Sequence, residues 1–134
     1  MPLKKKINFS SRIKKLQENH LAPLANEIKT TIIQRTQSGK DINDRAFKSY
    51  SSSYRQYRTE NGRNAKPNLT YTGKMLNAID WKKLKNGIRM KFNSKEQTDK
   101  AKYNQKSRPF FGLSKSDTAY YTKQLAKIIF NKIK

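Results

Sequence analysis

Cysteine is absent from the 134 residues, and histidine occurs once, as His20. Disulfides and thiolate metal sites are therefore excluded, and neither a Cys-His nor a multi-histidine centre can be assembled. Hydrophobic residues are also short, at 34%, below the usual share of a globular domain. No apolar run reaches the roughly 20 residues that span a bilayer, and the basic start MPLKKKINFSSRIKK has no apolar stretch behind it, so it does not read as a secretory signal. A soluble chain without a membrane partner is expected.

Acids are scarce as well. The nine are scattered, with Asp41 and Asp44 a close pair. Flanked by Lys40 and Arg45, they suit a turn better than a general acid and base. A Ser-His-Asp arrangement through His20 is formally open, but there is no Gly-x-Ser-x-Gly elbow to present a serine, and a surface histidine is the simpler reading. RTQSGKD, residues 35–41, lacks the first P-loop glycine and the Lys-Ser/Thr ending that hold a nucleotide phosphate. No cofactor, metal or catalytic residue is expected. The one enzymatic class these absences leave open is a small basic ribonuclease-type toxin working through Arg, Lys and Tyr; a non-enzyme is expected.

What the chain has in excess is positive charge: 31 Lys and Arg, for a formal net charge of +22. Such an imbalance opposes compaction and self-association unless an anion is near, so nucleic acid, an acidic protein surface or an anionic membrane are the ordinary partners. Seven Tyr, six Phe and one Trp compensate in part for the low hydrophobic content, since each ring buries a large area. The length suits one domain: a basic N-terminal arm over 1–12, dense in Lys4, Lys5 and Lys6 and expected to be disordered unless a partner orders it, followed by a single domain over 13–134.

Leu21, Leu24, Ala25, Ile28 and Ile32 recur at steps of three and four and make one face of a helix ending near Gly39. Pro23 belongs in a first turn, so that helix is expected to start near Ala22, or to continue a kinked one from Ser10. Tyr50, Tyr54 and Tyr57 keep helical spacing over a short helix, about 51–59, and are expected to pack inward. Thr70 or Thr72 caps a short helix bearing Met75, Leu76 and Ile79. In AIDWKKLKNGIRMKF, residues 78–92, Asn86-Gly87 separates two alternating runs and predicts a β-hairpin with a type I′ turn. Ile88, Met90 and Phe92 take one face and Arg89 and Lys91 the other, while Leu84 breaks the parity of Ile79 and Trp81, predicting a bulge or a late strand start. Ser94 with Gln97 forms a capping box for a polar helix to about Asn104. Ser116 or Asp117 is expected to cap a C-terminal helix carrying Tyr121, Leu125, Ile128, Ile129 and Ile133 inward and ending in Lys127, Lys132 and Lys134. The order of elements predicts an α+β domain, with an N-terminal amphipathic helix, short helices, a central antiparallel hairpin or small sheet and a C-terminal helix.

Two groups of residues stand out as candidate contacts. Lys82, Lys83, Lys85, Arg89 and Lys91 cluster on the hairpin, where basic residues can track phosphates or form the solvated face that alternation requires in any case. SRPFFGLSKSD, residues 107–117, places Arg108 before Pro109, which keeps the preceding residue out of the helical region. In an extended segment the neighbouring rings of Phe110 and Phe111 point opposite ways, so one is expected to anchor the loop beside Leu113 and the other to meet a partner; both rings packed under the C-terminal helix is the competing arrangement.

Three stretches together resemble a known family. IIQRTQSGKDINDRAFKSYSSSYRQYR (32–58), NLTYTGKMLNAI (68–79) and RPFFGLSKSD (108–117) are similar, in that order, to segments of the phage virion-morphogenesis proteins, the tail-completion or head-tail joining (neck) proteins of tailed bacteriophages. The family also carries a Tyr-Ala…His-Gln-x-Gly stretch before the third segment; here KAKYNQKS (100–107) has neither the histidine nor the glycine, and the charge is higher than the family's. The resemblance implies a structural subunit made in the host cytoplasm and carried in the virion, a homo-oligomeric ring of sixfold or twelvefold symmetry between portal and tail around the DNA path. The 107–117 loop is expected to offer a subunit or partner interface at Arg108, Pro109, Phe110, Phe111 and Leu113, and the charge of such a ring calls for DNA or acidic neck, portal or tail proteins facing Lys4, Lys5, Lys6, Lys82, Lys83, Lys85, Arg89 and Lys91. A free, sequence-nonspecific nucleic-acid-binding protein is the alternative.

Overall fold

A computed structural model describes the backbone of residues 5–8, 16–70, 72–85 and 87–132. In chain order the elements are β1 (Lys5–Asn8), α1 (Glu18–Gln37), α2 (Ser52–Glu60), α3 (Lys74–Asn77), β2 (Ile79–Leu84), β3 (Gly87–Phe92), α4 (Lys95–Gln105) and α5 (Lys115–Lys132). The architecture is α+β, as expected: α1 and α4 pack against a small antiparallel sheet of order β1-β3-β2.

The hairpin pairs without interruption from Ile79↔Phe92 to Leu84↔Gly87. There is no bulge; instead Leu84 takes the outer face with Asp80 and Lys82, and Lys83 takes the parity of Ile79 and Trp81. The two residues between the strands are Lys85 and Asn86, and Gly87 already belongs to β3. The loop therefore sits one residue earlier than an Asn-Gly turn would place it; Asn86 itself lies outside the described residues. Ile88, Met90 and Phe92 are buried, and Arg89 and Lys91 take the opposite face, as the alternation requires.

The expected basic arm contains a strand. Lys5–Asn8 pairs antiparallel with β3, from Lys5↔Met90 to Asn8↔Gly87. A free edge of β3 would leave its backbone donors and acceptors without partners, and four residues are enough to satisfy it, too few for a periodic signal. Lys4 lies outside the described residues.

Helix α1 lays Leu21, Leu24, Ala25, Ile28 and Ile32, all buried, against the inner face of the sheet. It begins five residues before Pro23, not at Ala22. The missing proline donor is tolerated because the extra turn is held at its start, where the Gln17 backbone N–H donates to His20 Nδ1 at 3.2 Å. The single histidine is thus a half-buried capping residue. Gly39, with φ of +87°, follows the C-terminus and uses the left-handed conformation that glycine adopts cheaply.

Helix α5 packs along α1. Tyr121 and Leu125 are buried and Ile128 and Ile129 partly so; Ile133 and Lys134 lie outside the described residues. The cap is Ser114, two residues before the expected Ser116: its Oγ accepts from the Asp117 N–H at 3.1 Å and its carbonyl from the Thr118 N–H at 2.9 Å. At α4 half of the expected capping box is found: Ser94 Oγ accepts from the Gln97 N–H at 3.3 Å, while Gln97 Oε1 is buried without a hydrogen-bond partner among the described residues.

Candidate functional site

The loop between α4 and α5 is built into the subunit. Phe110 and Phe111 are both fully buried, each within reach of Phe92, at centroid distances of 6.3 and 4.9 Å. The expectation that one ring is offered to a partner assumed an extended segment. The chain bends instead: Gln105 Oε1 accepts from the N–H groups of both Phe110 and Phe111 at 3.1 Å, so both rings turn to one side. The competing arrangement, with both rings packed inside, is the one adopted.

Arg35 closes this loop onto α1. Its Nη2 donates to the carbonyls of Phe110 at 2.6 Å and Gly112 at 2.8 Å, and Nη1 lies 3.6 Å from Asp117. Burial pulls the guanidinium below its ordinary value, opposed by Asp117 and, further off, by Asp44 and Asp41. The Ile42 N–H donates to the Pro109 carbonyl at 3.0 Å. Arg108 donates from Nε to the Lys48 carbonyl at 2.7 Å and from Nη2 to that of Ser49 at 2.8 Å. Of the five residues expected at a partner interface, two are buried rings, Arg108 and Pro109 are engaged within the subunit, and Leu113 is partly buried against the core.

The hairpin cations divide by pleat and register. Lys82, Arg89 and Lys91 share the outer face of the sheet; Lys83, half-buried at the rim of the inner face, reaches the Leu84 carbonyl with Nζ at 3.2 Å; Lys85 is exposed in the turn. Register places Lys6 opposite Arg89, and Arg89 opposite Lys82. This rung of three cationic residues has Asp80, opposite Lys91, as the neighbouring acid. Like charges directly opposite one another destabilise a sheet, and Arg89 Nε is buried without a hydrogen-bond partner among the described residues.

A second basic surface lies where sequence periodicity did not place it. Tyr50 is buried, but Tyr54 and Tyr57 are 37% and 51% exposed, contrary to the expectation that all three pack inward. The residue that α2 buries is Arg58, 1% exposed. Its Nε donates to the Asn64 carbonyl at 2.7 Å, and Nη2 to Asn68 Oδ1 at 2.9 Å and the Thr70 carbonyl at 3.0 Å. The guanidinium lies 5.0 Å from the Tyr50 ring and 5.7 Å from that of Tyr54, within cation–π range. Arg58 thereby pins the 61–70 segment, and Tyr50 and Tyr54 border a groove of about 920 Å³ whose other wall is α4, with Lys100 and Tyr103.

Among the described residues no group of three or more His, Asp or Glu can hold a metal ion, and no helix is long and apolar enough to cross a membrane. Comparison with protein-family models, curated proteins and solved structures finds no match to the chain.

Proposed function

We propose that the chain is a structural, non-enzymatic subunit of a bacteriophage neck or tail-completion ring that joins the portal end of the capsid to the tail around the DNA path. The observation that carries this reading is the way the three resembling stretches meet. Residues 32–58 bond to residues 108–117 through Arg35, Ile42 and the Arg108 acceptors Lys48 and Ser49. They bond to residues 68–79 through Arg58 and through Tyr50, whose hydroxyl accepts from the Leu69 N–H at 3.1 Å. Segments far apart in the chain, picked out by resemblance alone, are each other's structural partners, as expected if they are the signature of one fold. The resembling residues then specify the subunit, and its outward contacts are made elsewhere.

The outer sheet face is the part of the subunit assigned to anions. Subunits of +22 brought into a closed ring repel one another unless anions lie within about a Debye length, ~8 Å at physiological salt. DNA in the lumen, or acidic faces of portal and tail proteins, supplies them beside Lys82, Arg89 and Lys91. The test is quantitative peptide mass spectrometry on gradient-purified particles of the encoding phage. A fixed low ratio to the major capsid protein, matching one or two rings of six or twelve copies, is expected. Abundance in infected cells with absence from particles refutes the neck role and leaves free nucleic-acid binding as the account of the charge.

A further inference from the structure

The groove between α2 and α4 has a composition that differs from the outer sheet face. It is lined by four cationic residues, Arg58, Lys74, Lys100 and Arg108, against one carboxylate, Asp99. Arg58 and Arg108 each hold backbone carbonyls within the subunit through Nε and Nη2, so much of what they bring to the groove is charge. Lys74 and Lys100 are exposed; the Nζ of Lys100 lies 3.4 Å from Glu96, in a solvent-exposed pair of little energy, and Asp99 is paired with Lys95 at 3.0 Å.

Aromatic rings line the same groove. Tyr54 stands edge-on to Tyr50, which also lines it, at 4.9 Å; outside the lining, Tyr57 lies nearly parallel to Tyr54 at 6.1 Å, with an interplanar angle of 19°. Tyr103, on α4, is 77% exposed. A surface that only had to be solvated has no use for large rings in water on both walls of one cleft.

We propose that this groove binds single-stranded nucleic acid without sequence readout, bases stacking on Tyr54 and Tyr103 and phosphates following Lys74 and Lys100. Exposed rings within a cationic cleft are the means by which proteins hold unpaired strands: every base has a π-face, and the cations take the backbone. A duplex keeps its bases stacked on one another and has no use for the rings; the cationic rung Lys6–Arg89–Lys82 of the outer sheet face suits it better. An acidic peptide answers the charge but does not need two tyrosines. The site belongs to the single subunit, so it is independent of whether that subunit is built into a neck.

The experiment is fluorescence anisotropy of the full chain with a labelled oligothymidylate and with a duplex of equal length, across a salt series and with polyglutamate as competitor. Tyr54→Ala, Tyr103→Ala and the corresponding phenylalanine variants are compared, together with Lys82→Gln on the sheet face. Each alanine variant is expected to lose roughly 5- to 100-fold in single-strand affinity, with phenylalanine retaining it, duplex binding unchanged, and Lys82→Gln weakening the duplex alone. Tyr103 is so exposed that its replacement leaves the fold intact, and thermal melts check this for Tyr54. Alanine variants that bind the single strand like wild type overturn the proposal. So does displacement by polyglutamate that is equally effective in wild type and the alanine variants, since charge alone then accounts for the binding.

Discussion

Arg35→Met removes the two hydrogen bonds that hold the 108–114 loop to α1 while keeping most of the side chain's volume. Each bond runs from a charged donor to a buried carbonyl and is worth about 1.5–3 kcal/mol, so the gross loss is roughly 3–6 kcal/mol. Against this stands the relief of a buried guanidinium whose Nε and Nη1 have no hydrogen-bond partner among the described residues, about 1–3 kcal/mol. Asp117 adds little: at 3.6 Å and with 29% of its side chain exposed, the ion pair contributes under about 1 kcal/mol. The net expectation is a loss of about 2–4 kcal/mol, a large share of the ~5–15 kcal/mol that holds a domain together. Urea denaturation followed by the fluorescence of Trp81, the single tryptophan, measures it, because that ring packs against the core. The midpoint should fall with the slope unchanged, and the thermal midpoint should drop by roughly 10 °C. Arg35→Lys, a point charge in place of a fork, should fall between the two. A methionine variant within about 0.5 kcal/mol of wild type, the scatter of neutral surface changes, refutes the view that Arg35 latches the loop.

Two glycines separate backbone strain from contact. Gly39→Ala combines a φ of +87° with a Cβ only 3.1 Å from the Pro67 carbonyl oxygen and should cost about 1–3 kcal/mol. Gly62→Ala has φ of +70° and nothing within 4 Å, so it should cost about 1 kcal/mol; equal losses in urea denaturation refute the close approach of residues 39 and 67. The joint of α1 and α5 should respond to alkali. Burial raises the Tyr121 hydroxyl above its ordinary 10.0, opposed by its hydrogen bond to Thr31, so the folded state holds this proton more tightly than the unfolded chain does. Its contribution is complete below pH 10 and is lost as pH rises through the folded value. Tyr121→Phe should therefore cost about 1 kcal/mol near neutrality and run closer to wild type above pH 10, whereas denaturation curves that stay parallel to pH 11 refute the assignment.

The elements governed by local periodicity were legible in the sequence. The apolar face of α1, the alternation of β3 and the Ser94 cap each follow from spacing that repeats within a few residues. The errors fall where a distant group decides. Helical spacing places Tyr50, Tyr54 and Tyr57 together but does not say which face turns inward. That choice is made by Arg58, whose acceptors in the 64–70 segment are visible only once the chain has folded, and Tyr50 precedes the helix and escapes its phase. Phe110 and Phe111 were assigned opposite directions from extended geometry, whereas a glutamine side chain bends the backbone so that both rings enter the core. Strand β1 is too short to announce itself and exists because β3 has an edge to fill. For the candidate site, composition pointed to an anion; the division into a cationic sheet face and a ring-lined groove required the fold.

Arg35 and its acceptor on Phe110 are 75 residues apart, and Glu27 and Tyr121 are separated by 94. The helix that organises the core therefore leaves the ribosome well before the loop and the helix that latch onto it. At ~5–20 residues per second, α1 waits about 4–15 s for the loop that neutralises its buried arginine, and longer for α5. Within that interval the hairpin can already cover the sheet-facing side of α1, but Arg35 lacks its acceptors and the side that meets α5 is bare, on a nascent chain that is strongly cationic. Until α5 is made, the side of α1 that it covers stays open.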